Sequence, residues 1–192
     1  MNPTDCIYET GVIHGRFQVL HNDHVAYLMA GKRLCHHLVV GITNPDPVMT
    51  RMESVDPYRS SVLSNPLSYY ERCVMVQSVL REIGISPEQF SVVPFPVNFP
   101  DRYQYYVPMD AVFFLSIYDD WGRRKLAYFN SLGLKTHILR QVAPEEKGLS
   151  AKGIRSRMMT GTPWEHLVPK SVSVLMKAWD IPGRLRRLAV DS

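Results

Sequence analysis

Residues 11–24 read GVIHGRFQVLHNDH, the pattern of a strand, a turn and the start of a helix. The mainly apolar residues 11–14 are typical of a buried strand, and the glycine and polar residues after them predict its end. Asp23 is a suitable N-cap for the helix. The apolar face of this helix would consist of Val25, Leu28, Met29 and Cys35. We therefore predict a strand joined directly to a helix at the beginning of the fold.

The alternation of strands and helices continues along the chain. Further strands are predicted at 37–42, 90–94, 110–117 and 135–139, and helices at 68–83, 120–132, 152–159, 169–179 and 184–190. Such alternation predicts a parallel sheet with helices on both faces. We expect an α/β protein with a Rossmann-like, doubly wound parallel sheet and a helical C-terminal subdomain. Residues 1–192 would form a single domain, with its core at about 8–145 and its C-terminal helical part at about 150–192.

The composition narrows the class of protein. With 45% hydrophobic and 21% charged residues, the chain is neither fibrous nor wholly disordered. Its three widely spaced cysteines argue against a disulfide framework or a cysteine zinc site. His14, His36 and His37 lack the spacing of a closed zinc site, so we predict no protein-bound metal. No signal peptide or membrane-spanning run is evident, so we expect a cytoplasmic protein without a membrane partner.

Positive charge is concentrated at the end of the chain. Residues 1–150 hold 14 Lys and Arg against 15 Asp and Glu, whereas residues 151–192 hold 8 against 3. A basic segment suits a polyanion such as nucleotide phosphates, nucleic acid or a lipid surface. A solvated basic tail around Arg184, Arg186 and Arg187 explains the same cluster equally well. Because no aromatic platform accompanies the tail, we expect no nucleic-acid partner.

The turn after the first strand has the chemistry of an anion site. Ligands of open α/β sheets bind beyond the carboxyl ends of the strands, where a helix N-terminus offers free N–H groups. Gly15 permits close backbone approach, Arg16 supplies a positive charge, and His21 and His24 lie three residues apart. The turn has neither the glycine pattern of a dinucleotide-binding fold nor the ending of a P-loop.

This turn resembles the H-x-G-H signature of the nucleotidyltransferase superfamily. The archaeal-type nicotinamide-mononucleotide (NMN) adenylyltransferases, whose turn reads G-R-x-Q-P-F-H-x-G-H, are the most similar in pattern. The matching residues are Gly15, Arg16, Gln18, His21 and His24, and the departures are Val19, Leu20 and Asp23. Three later segments resemble landmarks of the same family: NPL and ER at 65–67 and 71–72, SAKGIR at 150–155, and VPKSV at 168–172.

The resemblance implies an adenylyltransferase that joins ATP to NMN and releases NAD and pyrophosphate. ATP would be a substrate, and Mg²⁺ would be carried on its phosphates with few protein ligands. The resemblance implies catalytic roles for His21, His24 and Arg155. The residues that would bind the nucleotide are Gly15, Arg16, Phe17, Ser150, Lys152, Ile154 and Arg157. Relatives in this family form homo-oligomers, so we expect one here.

The acceptor site is less clearly marked in the sequence. In the resembling family, the segment after the third strand brings an aromatic ring against the nicotinamide. Tyr106 matches best by spacing, Tyr103 and Tyr105 are alternatives, and Asn98 could contact the amide. The proline-rich segment 45–66, predicted to be a surface loop, is where an unusual acceptor could be recognised.

Two other interpretations remain open. One is a transferase of the same fold with another reaction, using nicotinate mononucleotide, phosphopantetheine or a cytidylyl donor. The other is a nucleotide-binding regulator without turnover. Asp23 places a carboxylate where the family has glycine, and Lys152 replaces its usual threonine, which motivates the regulator. Only the enzyme would release pyrophosphate.

Overall fold

The computed structural model describes residues 6–48, 61–146 and 148–190, and these form a five-stranded sheet flanked by helices. The strands are β1 (Tyr8–Gly15), β2 (Cys35–Thr43), β3 (Phe90–Phe95), β4 (Val112–Ile117) and β5 (Lys135–Gln141). The helices are α1 (Asn22–Lys32), α2 (Tyr69–Glu82), α3 (Asp120–Ser131), α4 (Ala151–Thr160), α5 (Lys170–Ala178) and α6 (Ile181–Val190). Each predicted strand and helix is present, with shifts only at the ends.

The sheet is parallel and has the order β3-β2-β1-β4-β5. The chain winds outward from β1 to β3 and then returns to place β4 on the other side of β1. In an open sheet of this kind, the point where the winding reverses leaves a crevice at the carboxyl ends of the two strands. That point lies between β1 and β4. The predicted Rossmann-like fold class is confirmed.

Two hydrophobic clusters cover the two faces of the sheet. Successive residues of a strand point to opposite faces, and β1 shows this directly, because Ile13 joins the cluster under α1, α2 and the C-terminal helices. Its neighbour Val12 joins the smaller cluster under α3, which contains Phe95, Phe113 and Phe129. The sheet is thereby held between two layers of helices.

Ser68 and Glu71 have the spacing of a capping box, and the start of α2 forms one. Ser68 accepts a hydrogen bond from the N–H of Glu71, and the Glu71 carboxylate accepts one from the N–H of Ser68. This reciprocal arrangement is the capping box, which satisfies two N–H groups that have no partner within the helix.

The arginines of the basic C-terminal cluster contact the protein itself. Arg184 forms two hydrogen bonds of 2.7 and 2.8 Å with the Glu71 carboxylate. Arg187 pairs with Asp180, and Arg186 donates to the carbonyl of Met158. None of the helices in the described ranges has the length and apolar character needed to cross a membrane.

Most of the segment predicted as a surface loop at 45–66 is not among the described residues. Its residues 49–60, which include Arg51 and Arg59, lie outside the described residues. Residues 62–64 form a single 3₁₀ turn, which Ser61 caps by accepting from the N–H of Ser64. A role of this loop in recognising the acceptor therefore stays a prediction.

Candidate active site

A cavity of about 370 Å³ opens at the carboxyl ends of β1 and β4. Its wall includes the turn after β1, the end of β4 and the N-terminal turns of α1, α3 and α4. Among the residues of the wall are Gly15, Arg16, His21, His24, Ser150 and Arg155. The structure therefore brings the turn after β1 and the predicted segment 150–155 together around one cavity.

The turn between β1 and α1 is anchored to the residues before α2. The Gln18 amide donates to the carbonyl of Leu67 and accepts from the N–H of Leu67, both at 2.9 Å. Gln18 is almost fully buried, so these bonds are shielded from water. In the sequence, Gln18 is only one of the residues that match the motif of the turn. Its observed contacts give it a structural role.

Arg72 joins the ends of the strands behind the turn. Its buried guanidinium donates to the carbonyls of Arg16 at 3.1 Å, Thr43 at 2.7 Å and Asn44 at 2.7 Å. Burial, with a smaller contribution from the nearby charge of Arg16, lowers the pKa of Arg72 to about 10, so it remains charged near neutral pH. The structure thus places one charged group at the ends of both β1 and β2.

His21 and His24 stack on each other at the start of α1, with ring centroids 3.7 Å apart. The His24 Nδ1 accepts a hydrogen bond of 3.3 Å from the N–H of His21, which leaves the proton of a neutral ring on Nε2. Burial lowers the pKa of His21 to about 4, against an opposing effect of Asp23. Burial, then the neighbouring His21 and Arg16, lowers the pKa of His24 well below its usual range. Both rings are therefore neutral at pH 7.

The beginning of α4 also forms part of the wall. Ser150 caps this helix by accepting from the N–H of Gly153 at 3.1 Å. Arg155 is buried and donates to the carbonyl of Gln18, which ties α4 to the turn after β1. Burial, with a smaller effect of Arg16, lowers the pKa of Arg155 to about 10. The Arg155 guanidinium and the N-terminus of α4 thus both lie at the cavity.

The Asp23 side chain lies at the cavity and has a hydrogen-bond partner there. Its carboxylate belongs to the cavity wall and accepts a 2.7 Å hydrogen bond from the N–H of Leu149. Gly148 lies beside it with a φ of +78°, and a Cβ at that position would collide with the carboxylate. Asp23 therefore joins the start of α1 to the segment that leads into α4.

The other predicted nucleotide-binding residues are divided between the wall and its surroundings. Gly15, Phe17 and Lys152 line the cavity, and the Phe17 ring lies edge-on to His24 at 5.2 Å. Ile154 is buried in the larger hydrophobic cluster. Arg157 donates to the carbonyl of Pro163, away from the cavity wall.

The described residues that line the cavity include none of the predicted acceptor residues, which are Asn98, Tyr103, Tyr105 and Tyr106. Tyr103 is buried, and its hydroxyl donates to the carbonyl of Val97, which does line the cavity. Tyr106 packs against the cluster under α3, and Asn98 follows Val97 in the chain. A contact of these side chains with an acceptor stays a prediction.

Sequence reasoning missed the wall contributed by β4 and α3. Ser116, Tyr118, Trp121 and Lys125 all line the cavity, as does His14 at the end of β1. The available signal was position, because residues that follow a strand next to β1 must meet the turn after β1. Their spacing resembles no familiar motif, so nothing singled them out.

The cavity fits a magnesium ion that arrives with phosphates better than one held by the protein. In the part of the chain that the structure describes, no group of three or more His, Cys, Asp or Glu side chains could hold a metal ion. Mg²⁺ commonly keeps several waters and binds substrate phosphates with one or two carboxylates. Asp23 and Asp119 are the carboxylates of the described wall, and each also accepts a backbone hydrogen bond.

Comparison with known proteins decides the family. The chain is 48% identical over 177 residues to the phosphonoformate cytidylyltransferase of Streptomyces viridochromogenes, an alignment that covers 92% of this chain and 95% of that protein. This chain belongs to the nucleotidyltransferase superfamily. It is also 30% identical over 183 residues to the nicotinamide-nucleotide adenylyltransferase of Thermococcus onnurineus, covering 94% of this chain and 89% of that protein. No family model matches the chain.

Solved structures support the nucleotidyltransferase fold. A bifunctional NMN adenylyltransferase/ADP ribose pyrophosphatase from Francisella tularensis superimposes with a TM-score of 0.66 at 16% sequence identity. The match covers 94% of this chain and 53% of that one, so this chain spans about half of the bifunctional protein. At this identity the likeness establishes the fold alone.

The comparisons confirm the coarse prediction and, for the reaction itself, support the alternative better than the first reading. The chain is a nucleotidyltransferase, an enzyme whose substrate is a nucleoside triphosphate accompanied by Mg²⁺. The family resemblance of the turn implies adenylyl transfer onto NMN as the first reading. The more similar of the two relatives is a cytidylyltransferase, so the alternative reading, cytidylyl transfer, is now favoured over NAD formation.

Proposed function

We propose that this nucleotidyltransferase transfers a cytidylyl group from CTP to the phosphonate of phosphonoformate or a similarly small phosphonate. The observation that carries the proposal is the 48% identity to a phosphonoformate cytidylyltransferase over 92% of the chain. The relatives that adenylylate a nicotinamide nucleotide are about one-third identical or less, which makes NMN adenylyl transfer the second candidate.

The proposed reaction needs positioning and charge neutralisation more than proton transfer. An oxygen of the phosphonate attacks the α-phosphorus of CTP in line, a P–O bond forms, and the bond to pyrophosphate breaks. The phosphonate is ionised near neutral pH, so no base has to remove a proton. Rate enhancement then comes from holding the two anions in line and stabilising the charge of the transferring group.

The cavity wall carries the groups for that task. Arg16 and Arg155 would neutralise the triphosphate, and the N–H groups at the start of α4 would add uncharged donors. His24 has its Nδ1 occupied by the N–H of His21, so its Nε2–H is the donor available to a phosphate. The Nδ1 of His21 is buried and has no hydrogen-bond partner among the described residues. Neutral imidazoles of this kind donate to phosphate oxygens without taking up a proton.

The residues on the side of the cavity next to β4 favour a small acceptor. In the resembling family an aromatic ring faces the flat nicotinamide, but here Tyr103 and Tyr106 pack in the cluster under α3. The wall on that side carries the polar and charged groups of His14, Ser116 and Lys125 beside the rings of Tyr118 and Trp121. The polar and charged groups of this wall suit a compact anion.

Pyrophosphate release tests the proposal directly. We would assay CTP and ATP, each with Mg²⁺, against phosphonoformate, NMN, nicotinate mononucleotide, phosphopantetheine and no acceptor. The expected result is turnover with CTP and phosphonoformate that exceeds every other pair. Turnover confined to ATP and NMN would overturn the proposal in favour of NAD formation. Binding of CTP without turnover with any acceptor would favour the regulator.

A further inference from the structure

A buried histidine forms part of the cavity wall. His14 is the penultimate residue of β1 and is only 6% exposed. Its ring lies between the rings of Phe95 and Phe129, with a centroid distance of 5.4 Å to each. Neither Nδ1 nor Nε2 has a hydrogen-bond partner among the described residues.

The aromatic cluster gives no reason for an imidazole at this position. A buried polar group without a partner destabilises the folded state, and nearly all such groups in folded proteins are paired. An apolar side chain would pack against Phe95 and Phe129 without that cost. Because the ring also forms part of the cavity wall, a bound ligand can supply the missing partner.

A cation lies on the same side of the cavity. Lys125 of α3 lines the wall, with its ammonium 4.5 Å from the centre of the Trp121 ring. Burial, and then the charge of Lys125, lowers the pKa of His14 well below its usual range, so the imidazole is neutral. Ser116 at the end of β4 adds a hydroxyl. Asp119 also belongs to this wall, but its carboxylate accepts the N–H of Gly122 as the cap of α3.

The cavity therefore has two sides with different chemistry. The side formed by α1 and α4 carries Arg16, His21, His24 and Arg155, which we assigned above to the triphosphate. The side formed by β4 and α3 carries a neutral hydrogen-bond donor and an ammonium. A carboxylate satisfies both, because it accepts the imidazole N–H and pairs with the cation.

We propose that His14 and Lys125 form the subsite for a carboxylate of the acceptor, and that they select phosphonates that carry a carboxylate beside the phosphonate. This inference rests on the proposed function and adds two specificity-determining residues to it. The phosphonate would face the α-phosphorus of CTP, and the carboxylate would point to the side formed by β4 and α3.

Methylphosphonate tests the subsite because it replaces the carboxylate of phosphonoformate with a methyl group. The enzyme should prefer phosphonoformate by about 100-fold or more in kcat/KM, as sites that hydrogen-bond a substrate group reject analogues without it. His14→Leu and Lys125→Met should each reduce this preference by about 10-fold or more, chiefly through the KM for phosphonoformate. The KM for CTP should change by less than about threefold.

Matched variants separate the subsite from general effects. His14→Asn keeps a donor and should restore part of the preference that His14→Leu loses. His166→Leu and Lys135→Met alter exposed residues away from the cavity and should leave the preference unchanged. An unchanged preference in both His14→Leu and Lys125→Met would overturn the inference. If His14→Leu fails to fold, the substrate preference of the α3 variant Lys125→Met still tests the inference.

A binding measurement distinguishes failure of this inference from failure of the proposed function. With histidine ring nitrogens labelled and a non-hydrolysable CTP analogue bound, phosphonoformate should shift the His14 signals and methylphosphonate should not. A shift without turnover would overturn the proposed reaction and leave the carboxylate subsite standing. Turnover without a shift would overturn the subsite alone, and the absence of both would overturn both.

Discussion

Gln18 and Leu67 exchange two hydrogen bonds of 2.9 Å across 49 positions of the sequence. Through them, the turn that carries the site is held by the residues that lead into α2. The carbonyl of Pro66, the residue that precedes Leu67, accepts a 3.0 Å hydrogen bond from Arg184 of α6. The site turn is thus connected to α6 through Leu67 and Pro66, in addition to its direct contact with Arg155 of α4.

Replacing Gln18 with Met should destabilise the protein. The N–H and the carbonyl of Leu67 would both lose their partner in a buried place, which we expect to cost about 2–4 kcal/mol of the free energy of unfolding. Urea denaturation measures this cost. The exposed Gln104→Met is the control and should change the free energy of unfolding by less than about 0.5 kcal/mol. Equal stability of the two variants would mean that the paired bonds do not anchor the turn.

Arg72→Met should be more damaging than the same change elsewhere on α2. The buried guanidinium serves the carbonyls of Arg16, Thr43 and Asn44, and methionine would leave all three without it. We expect a loss of about 3 kcal/mol or more in the free energy of unfolding, measured by urea denaturation. Arg81→Met, on the exposed face of the same helix, should be nearly neutral. A similar small effect of both variants would contradict the assigned role.

His24→Ala should reduce kcat by about 100-fold or more if its Nε2–H donates to the transferring phosphate, which is the range for losing one preorganised donor. Steady-state pyrophosphate release measures the effect. His166→Ala, at an exposed histidine outside the cavity wall, should retain the parent rate. An unchanged kcat in His24→Ala, with the protein folded, would remove His24 from the catalytic groups.

Two substitutions of Asp23 separate its charge from its hydrogen bond. Asp23→Asn keeps an oxygen that can accept from the N–H of Leu149, whereas Asp23→Gly removes the acceptor. The glycine variant should lose about 1 kcal/mol of stability and turn over more slowly, because the segment before Ser150 is no longer held. The asparagine variant should remain close to the parent in both measurements. A faster glycine variant would show instead that the carboxylate repels the triphosphate.

Local sequence patterns predicted the parts of the fold that depend on neighbours in the chain. Ser68 and Glu71 predicted a capping box, and the structure forms it. Ser150 before a helical stretch likewise caps α4. The strand, turn and helix at residues 11–24 could be predicted for the same reason, since periodicity acts over a few residues. The predicted N-cap was wrong, because α1 begins at Asn22 and His21, not Asp23, is its N-cap.

Contacts between distant segments could not be predicted in this way. Arg72 looks like an ordinary arginine of a helix face, and only the placement of α2 against the ends of β1 and β2 makes it a buried donor. In the sequence, His14 is a polar residue near the end of a strand. Only the packing of Phe95 and Phe129 around it shows that its ring nitrogens have no hydrogen-bond partner among the described residues. Such environments depend on which elements become neighbours.

The low pKa of His21 predicts that stability falls in acid. Burial holds this pKa at about 4 in the folded protein, against about 6.5 in an unfolded chain. Between these values the unfolded state binds more protons, so the free energy of unfolding decreases as the pH is lowered, by up to about 3 kcal/mol from this residue. His24 and His14 act in the same direction because burial lowers their pKa values too. Urea denaturation at pH 7 and pH 4.5 should therefore show a smaller loss in the free energy of unfolding for His21→Asn than for the parent. The exposed His166→Asn should show the same loss as the parent. Equal losses in all three proteins would mean that His21 takes up its proton as readily in the folded state as in the unfolded one.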